Sequence, residues 1–120
     1  VIVTTNLFGD IITDLGSMLQ GGMGIAASGN LHPGKTSMFE PIHGSAPKYA
    51  GKNVACPLGA IMAVSMMMDY LGEKAAAKRI EDSVAYLLSS GRIPSTDAHS
   101  GISTTKMGDM VVEQIQKAEG

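Results

Sequence analysis

The chain has 120 residues, of which 44% are hydrophobic and 17% charged, an ordinary globular composition that excludes disorder or a collagen-like repeat as a description of the whole. Nine Lys and Arg against eleven Asp and Glu give a net charge of -2 with no basic block, so the electrostatic footprint of a nucleic-acid binder is absent. Fifteen glycines and five prolines interrupt every apolar run before it reaches the ~18 residues of a membrane span, and one cysteine cannot form an internal disulfide. These counts predict a soluble protein of a reducing compartment, the cytoplasm.

Val1-Ile2-Val3-Thr4 opens the chain with neither an initiator Met nor a signal-like segment, which reads as the interior of something longer. Its β-branched run predicts a buried strand, after which Thr5 or Asn6 caps a helix from Leu7 to about Gln20. At helical spacing Leu7, Phe8, Ile11, Ile12, Leu15, Met18 and Leu19 fall in one apolar arc, with Asp10 and Asp14 side by side on its border. Gly21-Gly22-Met23-Gly24 ends that helix, and residues 26–34 have the composition of a loop. A short strand is predicted at Ser37 to Glu40. From Pro41 to Pro57 no period of 2 or 3.6 survives, which marks a long irregular loop, functional or disordered.

Pro57 suits the first turn of a helix running to Leu71, apolar nearly all round and therefore predicted to be buried on most faces. Residues 73 to 90 predict an amphipathic helix with Ala76, Ile80, Val84, Leu87 and Leu88 on one stripe. A last helix, from about Ser103 to Lys117, places Met107, Met110, Val111 and Ile115 on one side. The predicted order is strand, helix, loops, then three helices.

Two features could carry chemistry. Asp10 and Asp14, at i and i+4, project carboxylates from one helix face a turn apart, which suits a hard divalent cation; the same pair also suits a helix start or a solvated flank. The loop from Phe39 to Asn53 mixes small residues with His, Ser, Lys, Tyr and Asn donors, a composition fit for phosphate, ribose and base, or simply for a turn held by proline and glycine. It carries neither G-x-G-x-x-G nor a Walker lysine. His32 and His99 read as solvated loop histidines, Cys56 as an inert thiol, and Met66-Met67-Met68 as gap-filling core.

Asn6-Leu7-Phe8-Gly9-Asp10-Ile11-Ile12-Thr13-Asp14, then Gly21-Gly22-Met23-Gly24-Ile25-Ala26, then Phe39-Glu40-Pro41-Ile42-His43-Gly44-Ser45-Ala46-Pro47 together resemble the metal-dependent β-decarboxylating dehydrogenases of the isocitrate/isopropylmalate family. The resemblance covers about the C-terminal third of such an enzyme. It implies an α/β fragment of the isopropylmalate dehydrogenase-like fold, not a Rossmann fold, with residues 1–22 in the central cleft region and 23–120 in the dinucleotide-binding domain. It also implies that Asp10 and Asp14 bind Mg²⁺ or Mn²⁺, which chelates the hydroxy-acid substrate. His43, Gly44, Ser45, Ala46, Pro47, Lys48 and Tyr49 would surround the adenosine half of NAD, Glu40 would lie near the nicotinamide ribose, and Asn53 to Cys56 would close over adenine.

The reaction so implied is hydride transfer from the substrate carbinol carbon followed by loss of the β-carboxylate as CO₂, with the metal as Lewis acid. 3-Isopropylmalate, in leucine biosynthesis, is the foremost substrate, with isocitrate or tartrate as alternatives, in a homodimer. The family's general-acid Tyr, its catalytic Lys, its arginine clamp and a partner-supplied third metal carboxylate would all lie upstream of Val1, so these 120 residues by themselves would be an inactive nucleotide-binding module. Two departures stand out. Lys48-Tyr49 resembles the NADP-using members rather than those with an acidic residue facing the free ribose hydroxyls. Cys56 stands where the family usually carries Asn.

Overall fold

A computed structural model describes residues 1–118. The first helix, α1 (Asn6–Leu19), stops where Gly21 and Gly22 take positive φ of 105° and 91°. There the Gly22 N–H donates to the Ser17 carbonyl and the Gly21 N–H to that of Met18, a Schellman closure that satisfies two orphan carbonyls. Next comes an antiparallel hairpin, β1 (Ala27–Asn30) and β2 (Met38–Pro41), pairing Ala27 with Pro41 and Asn30 with Met38. A single 3₁₀ turn, Pro47–Tyr49, interrupts the following loop. Three helices complete the order: α2 (Leu58–Tyr70), α3 (Lys74–Ser89) and α4 (Thr104–Lys117). The architecture is α/β.

The core lies where the three later helices converge. Leu58 of α2, Val84 and Leu87 of α3, Met107, Met110 and Val111 of α4, and Ile93 from the α3–α4 connection form one buried cluster. The apolar stripes at helical spacing on α3 and α4 are what make this possible. Ser65, buried in α2, donates to the Ala77 carbonyl of α3 at 2.9 Å and so satisfies its hydroxyl inside that interface. The hairpin also packs on α2, where the Phe39 and Tyr70 rings meet at 5.7 Å. Gly59 lets it approach: a Cβ there would sit 3.2 Å from the Pro41 side chain and 3.4 Å from His43.

Three sequence expectations need correction. Val1 to Val3 form no strand and lie exposed, because β-branched residues make a strand only against a hydrogen-bonding neighbour and none of the described residues supplies one. Residues 27–30, read as loop, are a strand. The helix α2 is not buried on most faces: Leu58, Gly59, Ala63 and Ser65 are, whereas Val64 and Met66 are exposed, since its extensive packing is against the hairpin and α3.

α1 has the predicted amphipathic pattern but no extensive packing against the other elements. Its whole apolar arc is exposed, Leu15 at 72% and Leu19 at 91%. The radius of gyration, 15.1 Å, exceeds the about 13.6 Å of a compact domain of this length, as a projecting helix requires.

A candidate active-site cleft

One cleft, with a volume of about 540 Å³, draws together residues that lie far apart in sequence: Asp14 from α1, Gly24 from the glycine turn, His43, Gly44, Ala46 and Tyr49 from the loop after β2, and Ala55 and Cys56 ahead of α2. It thus joins one of the two candidate metal ligands to half of the candidate cofactor residues. Asp10 sits one helical turn from Asp14, outside the lining. Glu40 lies on β2 opposite Ser28. Ser45, Pro47, Lys48 and Asn53 belong to the same loop but do not line the cleft.

Both α1 carboxylates are exposed, and among the described residues neither is hydrogen-bonded or ion-paired. Thr13 and Ser17 donate instead to the backbone carbonyls of Gly9, Asp10 and Asp14. Two unengaged hard oxygen donors a turn apart suit a divalent cation of the Mg²⁺ type, whose remaining positions go to water and substrate. No set of three or more His, Cys, Asp or Glu side chains among the described residues forms a complete metal cage.

The loop's geometry is that of a ligand cradle. Ala46 holds a left-handed conformation at φ 43°, a backbone state that costs a residue with a Cβ about 1 kcal/mol and tends to occur at binding loops. The small side chains at 44 and 46 leave the backbone open to the cleft. His43 Nδ1 lies 3.0 Å from the Gly44 carbonyl; since a carbonyl only accepts, Nδ1 is the donor in this contact. The Lys48 ammonium sits 4.8 Å from the centroid of the Tyr49 ring, so the cation is held beside the aromatic that enters the cleft.

Burial pushes the Cys56 thiol above its ordinary pKa, against a smaller opposing effect of the Leu58 backbone, and its Sγ lies 3.7 Å from the Met107 Sδ. The thiol is therefore half-buried and protonated at neutral pH, as an inert wall residue should be. His32 and His99 are exposed loop residues.

Thr96 and Ala98, in the α3–α4 connection, also line the cleft and are not distinguished by any sequence pattern. Their placement follows from Gly24: a Cβ at that position would come within 2.7 Å of the Thr96 carbonyl, so only glycine lets this wall close. Asp97 between them accepts from the Ser95 hydroxyl and the His99 N–H, which hold its carboxyl below the usual range and fix the turn.

This chain is similar along its length to known dehydrogenases. The family model described as isocitrate/isopropylmalate dehydrogenase matches residues 1–111. The isocitrate/homoisocitrate dehydrogenase of Thermus thermophilus is 51% identical over 117 residues, 97% of this chain and 34% of that protein. The 3-isopropylmalate dehydrogenase of Corynebacterium efficiens is 47% identical over 96% of this chain and 33% of its own length. The crystal structure of isocitrate dehydrogenase from Methylococcus capsulatus superposes with a TM-score of 0.85 at 41% identity, covering 95% of this chain and 34% of that one. The chain thus spans about a third of the length of these relatives, and it belongs to the isocitrate/isopropylmalate dehydrogenase family.

Proposed function

We propose that the full-length protein is an NAD(P)- and metal-dependent oxidoreductase that oxidises and decarboxylates a 2-hydroxy acid bearing a β-carboxylate. The observation that carries this reading is the cleft itself, in which Asp14 of the unengaged carboxylate pair opens onto the same space as His43, Tyr49 and Cys56. 3-Isopropylmalate is the first acid to test. Isocitrate and homoisocitrate stand beside it, because relatives named for all three are similar to this chain at 43 to 51% identity.

The residues divide the work by their chemistry. Asp10 and Asp14 would hold the cation through hard carboxylate oxygens. His43 would cover the base, with its Nδ1 donating to the Gly44 carbonyl, while Gly44, Ser45, Ala46 and Pro47 offer a low backbone wall. Lys48, held beside Tyr49, would place positive charge at the adenosine ribose, which favours a 2′-phosphate. Cys56 forms an apolar floor. When bound, the cation supplies Lewis acidity for decarboxylation and the dinucleotide takes the hydride.

α1 supports a homodimer, since its exposed arc from Leu7 to Leu19 is an amphipathic surface with no partner among the described residues. No described helix is long and apolar enough to cross a membrane, and the lone cysteine suits the cytoplasm. The test is turnover by the full-length protein with Mn²⁺ and either dinucleotide, offered 3-isopropylmalate, isocitrate and homoisocitrate in turn. Reduced dinucleotide and CO₂ should form together with one of the acids. Failure with all three would remove the proposal.

A further inference from the structure

The wall of the cleft formed by Ala55 and Cys56 belongs to a segment, residues 53–56, with no regular secondary structure of its own. It is held by the first turn of α4, about 50 residues further along. The Thr104 N–H donates to the Asn53 carbonyl at 3.0 Å, and the Thr104 hydroxyl donates to the Ala55 carbonyl. The Thr105 N–H and hydroxyl both donate to Asn53 Oδ1, at 3.0 and 3.1 Å. The Ser103 hydroxyl caps the Lys106 N–H, and the Ser103 carbonyl takes that of Met107. The N–H groups of Thr104, Thr105, Lys106 and Met107 are therefore all engaged, two of them by Asn53.

Asn53 is built for this contact. It stands at φ 55°, a left-handed conformation that Asn tolerates better than most residues with a Cβ. Its Oδ1 accepts from both the N–H and the hydroxyl of Thr105, so the side-chain oxygen is turned to α4. Cys56, at the other end of the segment, touches Met107 on the same first turn of α4. Both ends of the wall thus rest on one helix terminus.

We propose that Asn53 is a positioning residue: its side-chain oxygen staples the wall of the cleft to α4, and dinucleotide affinity depends on that staple rather than on contact with Asn53. The inference rests on the dehydrogenase reading above, and it departs from the role in closing over adenine that the family resemblance implies for this residue.

Three variants of the full-length protein test it. Asn53→Gly keeps the left-handed backbone accessible but deletes the acceptor; Asn53→Asp keeps an acceptor oxygen; Thr105→Val removes one donor and leaves the backbone alone. Two readouts are needed: the rate at which iodoacetamide labels Cys56 without ligand, followed by peptide mapping, and the split between KM for the dinucleotide and kcat. Loss of one charge-free hydrogen-bonded staple corresponds to about a tenfold effect. Asn53→Gly should therefore raise both the labelling rate and the KM by about tenfold, with kcat within about twofold of the parent. Thr105→Val should shift both in the same direction by less, and Asn53→Asp should retain slow labelling. Unchanged labelling in Asn53→Gly and Thr105→Val would overturn the staple. Faster labelling with unchanged KM would overturn its link to the cofactor. A parent protein that binds neither NAD nor NADP would instead overturn the dehydrogenase reading and the cofactor link with it, while the labelling rates still decide whether the staple exists.

Discussion

The two halves of the candidate site are built on opposite plans. Asp10 and Asp14 stand on α1, whose apolar arc is open and which shares no extensive interface with the rest. The cofactor half, from His43 to Cys56, is irregular in backbone yet tied to buried structure, by Gly59 against the hairpin, by the Thr96 turn against Gly24, and by α4 at residues 53–55. A regular element can thus be the less determined part of a site, and an irregular loop the more determined. Hydrogen bonds and burial around an element decide its fixity, not its secondary structure.

The sharpest way to break this contrast is to remove the candidate metal ligands. In the full-length protein, Asp14→Asn and Asp10→Asn should each lower metal-dependent turnover by more than about a hundredfold, beyond the cost of losing an outer-shell partner. Excess Mn²⁺ should rescue neither fully. Near-normal rates with an unchanged metal requirement would mean that the pair is only a solvated flank.

The open arc of α1 comes next. Leu15, at 72% exposure, should behave unlike Leu87, at 0%. If α1 is a subunit interface, Leu15→Asp should convert the full-length protein from dimer to monomer in sedimentation while far-ultraviolet helicity survives. Replacing Leu87 by Ala should instead cost about 2–5 kcal/mol of folding stability in chemical denaturation, whatever the oligomeric state. A Leu15→Asp protein that stays dimeric would place the interface elsewhere.

These differences also explain what was legible in the sequence. The helices were, because apolar spacing is local: the stripes of α3 and α4 and the arc of α1 are visible in the residues themselves, and Gly21, Gly72 and Gly91 mark helix ends by needing positive φ. The candidate pair Asp10 and Asp14 and the loop after β2 are visible as motifs. The hairpin strand Ala27–Asn30 was not, since Ala-Ser-Gly-Asn has poor strand propensity and becomes a strand only by pairing with residues 38–41 on the surface of α2. Val1 to Val3 erred the other way, with strand composition and no neighbour. Thr96, Ala98 and the Thr105 staple were invisible for a related reason: each joins the site by a contact across tens of residues that no local pattern encodes.

A smaller effect sharpens the reading of the loop. Lys48 is exposed and held beside Tyr49, which lines the cleft, while Lys48 itself does not. Lys48→Asp should shift the ratio of kcat/KM for NADP over NAD by about tenfold toward NAD, the scale of one charge-assisted hydrogen bond at a partly solvated site. The change should shrink as ionic strength rises, because the lysine is open to solvent. An unchanged ratio would show that Lys48 faces away from the ribose.

The smallest expected effect concerns Cys56, and it follows from burial. Folding raises the thiol's pKa, so the folded state resists ionisation that the unfolded chain accepts. The contribution of this group is fully present below the unfolded thiol's pKa of about 8.5 and is lost as pH rises through the higher folded value. Unfolding free energy should therefore decline with pH in that alkaline window, and Cys56→Ala should flatten the decline, as read from denaturant titrations across it. The staple makes a further demand on the same residue: if α4 holds the wall in place, Asn53→Gly should let water reach the thiol, move its titration back toward that of a free cysteine and reduce the slope. Should the slope be unaffected by Asn53→Gly, the burial of Cys56 would rest on its contact with Met107 alone, and the fixity of the cofactor half would owe less to α4 than to the core beneath it.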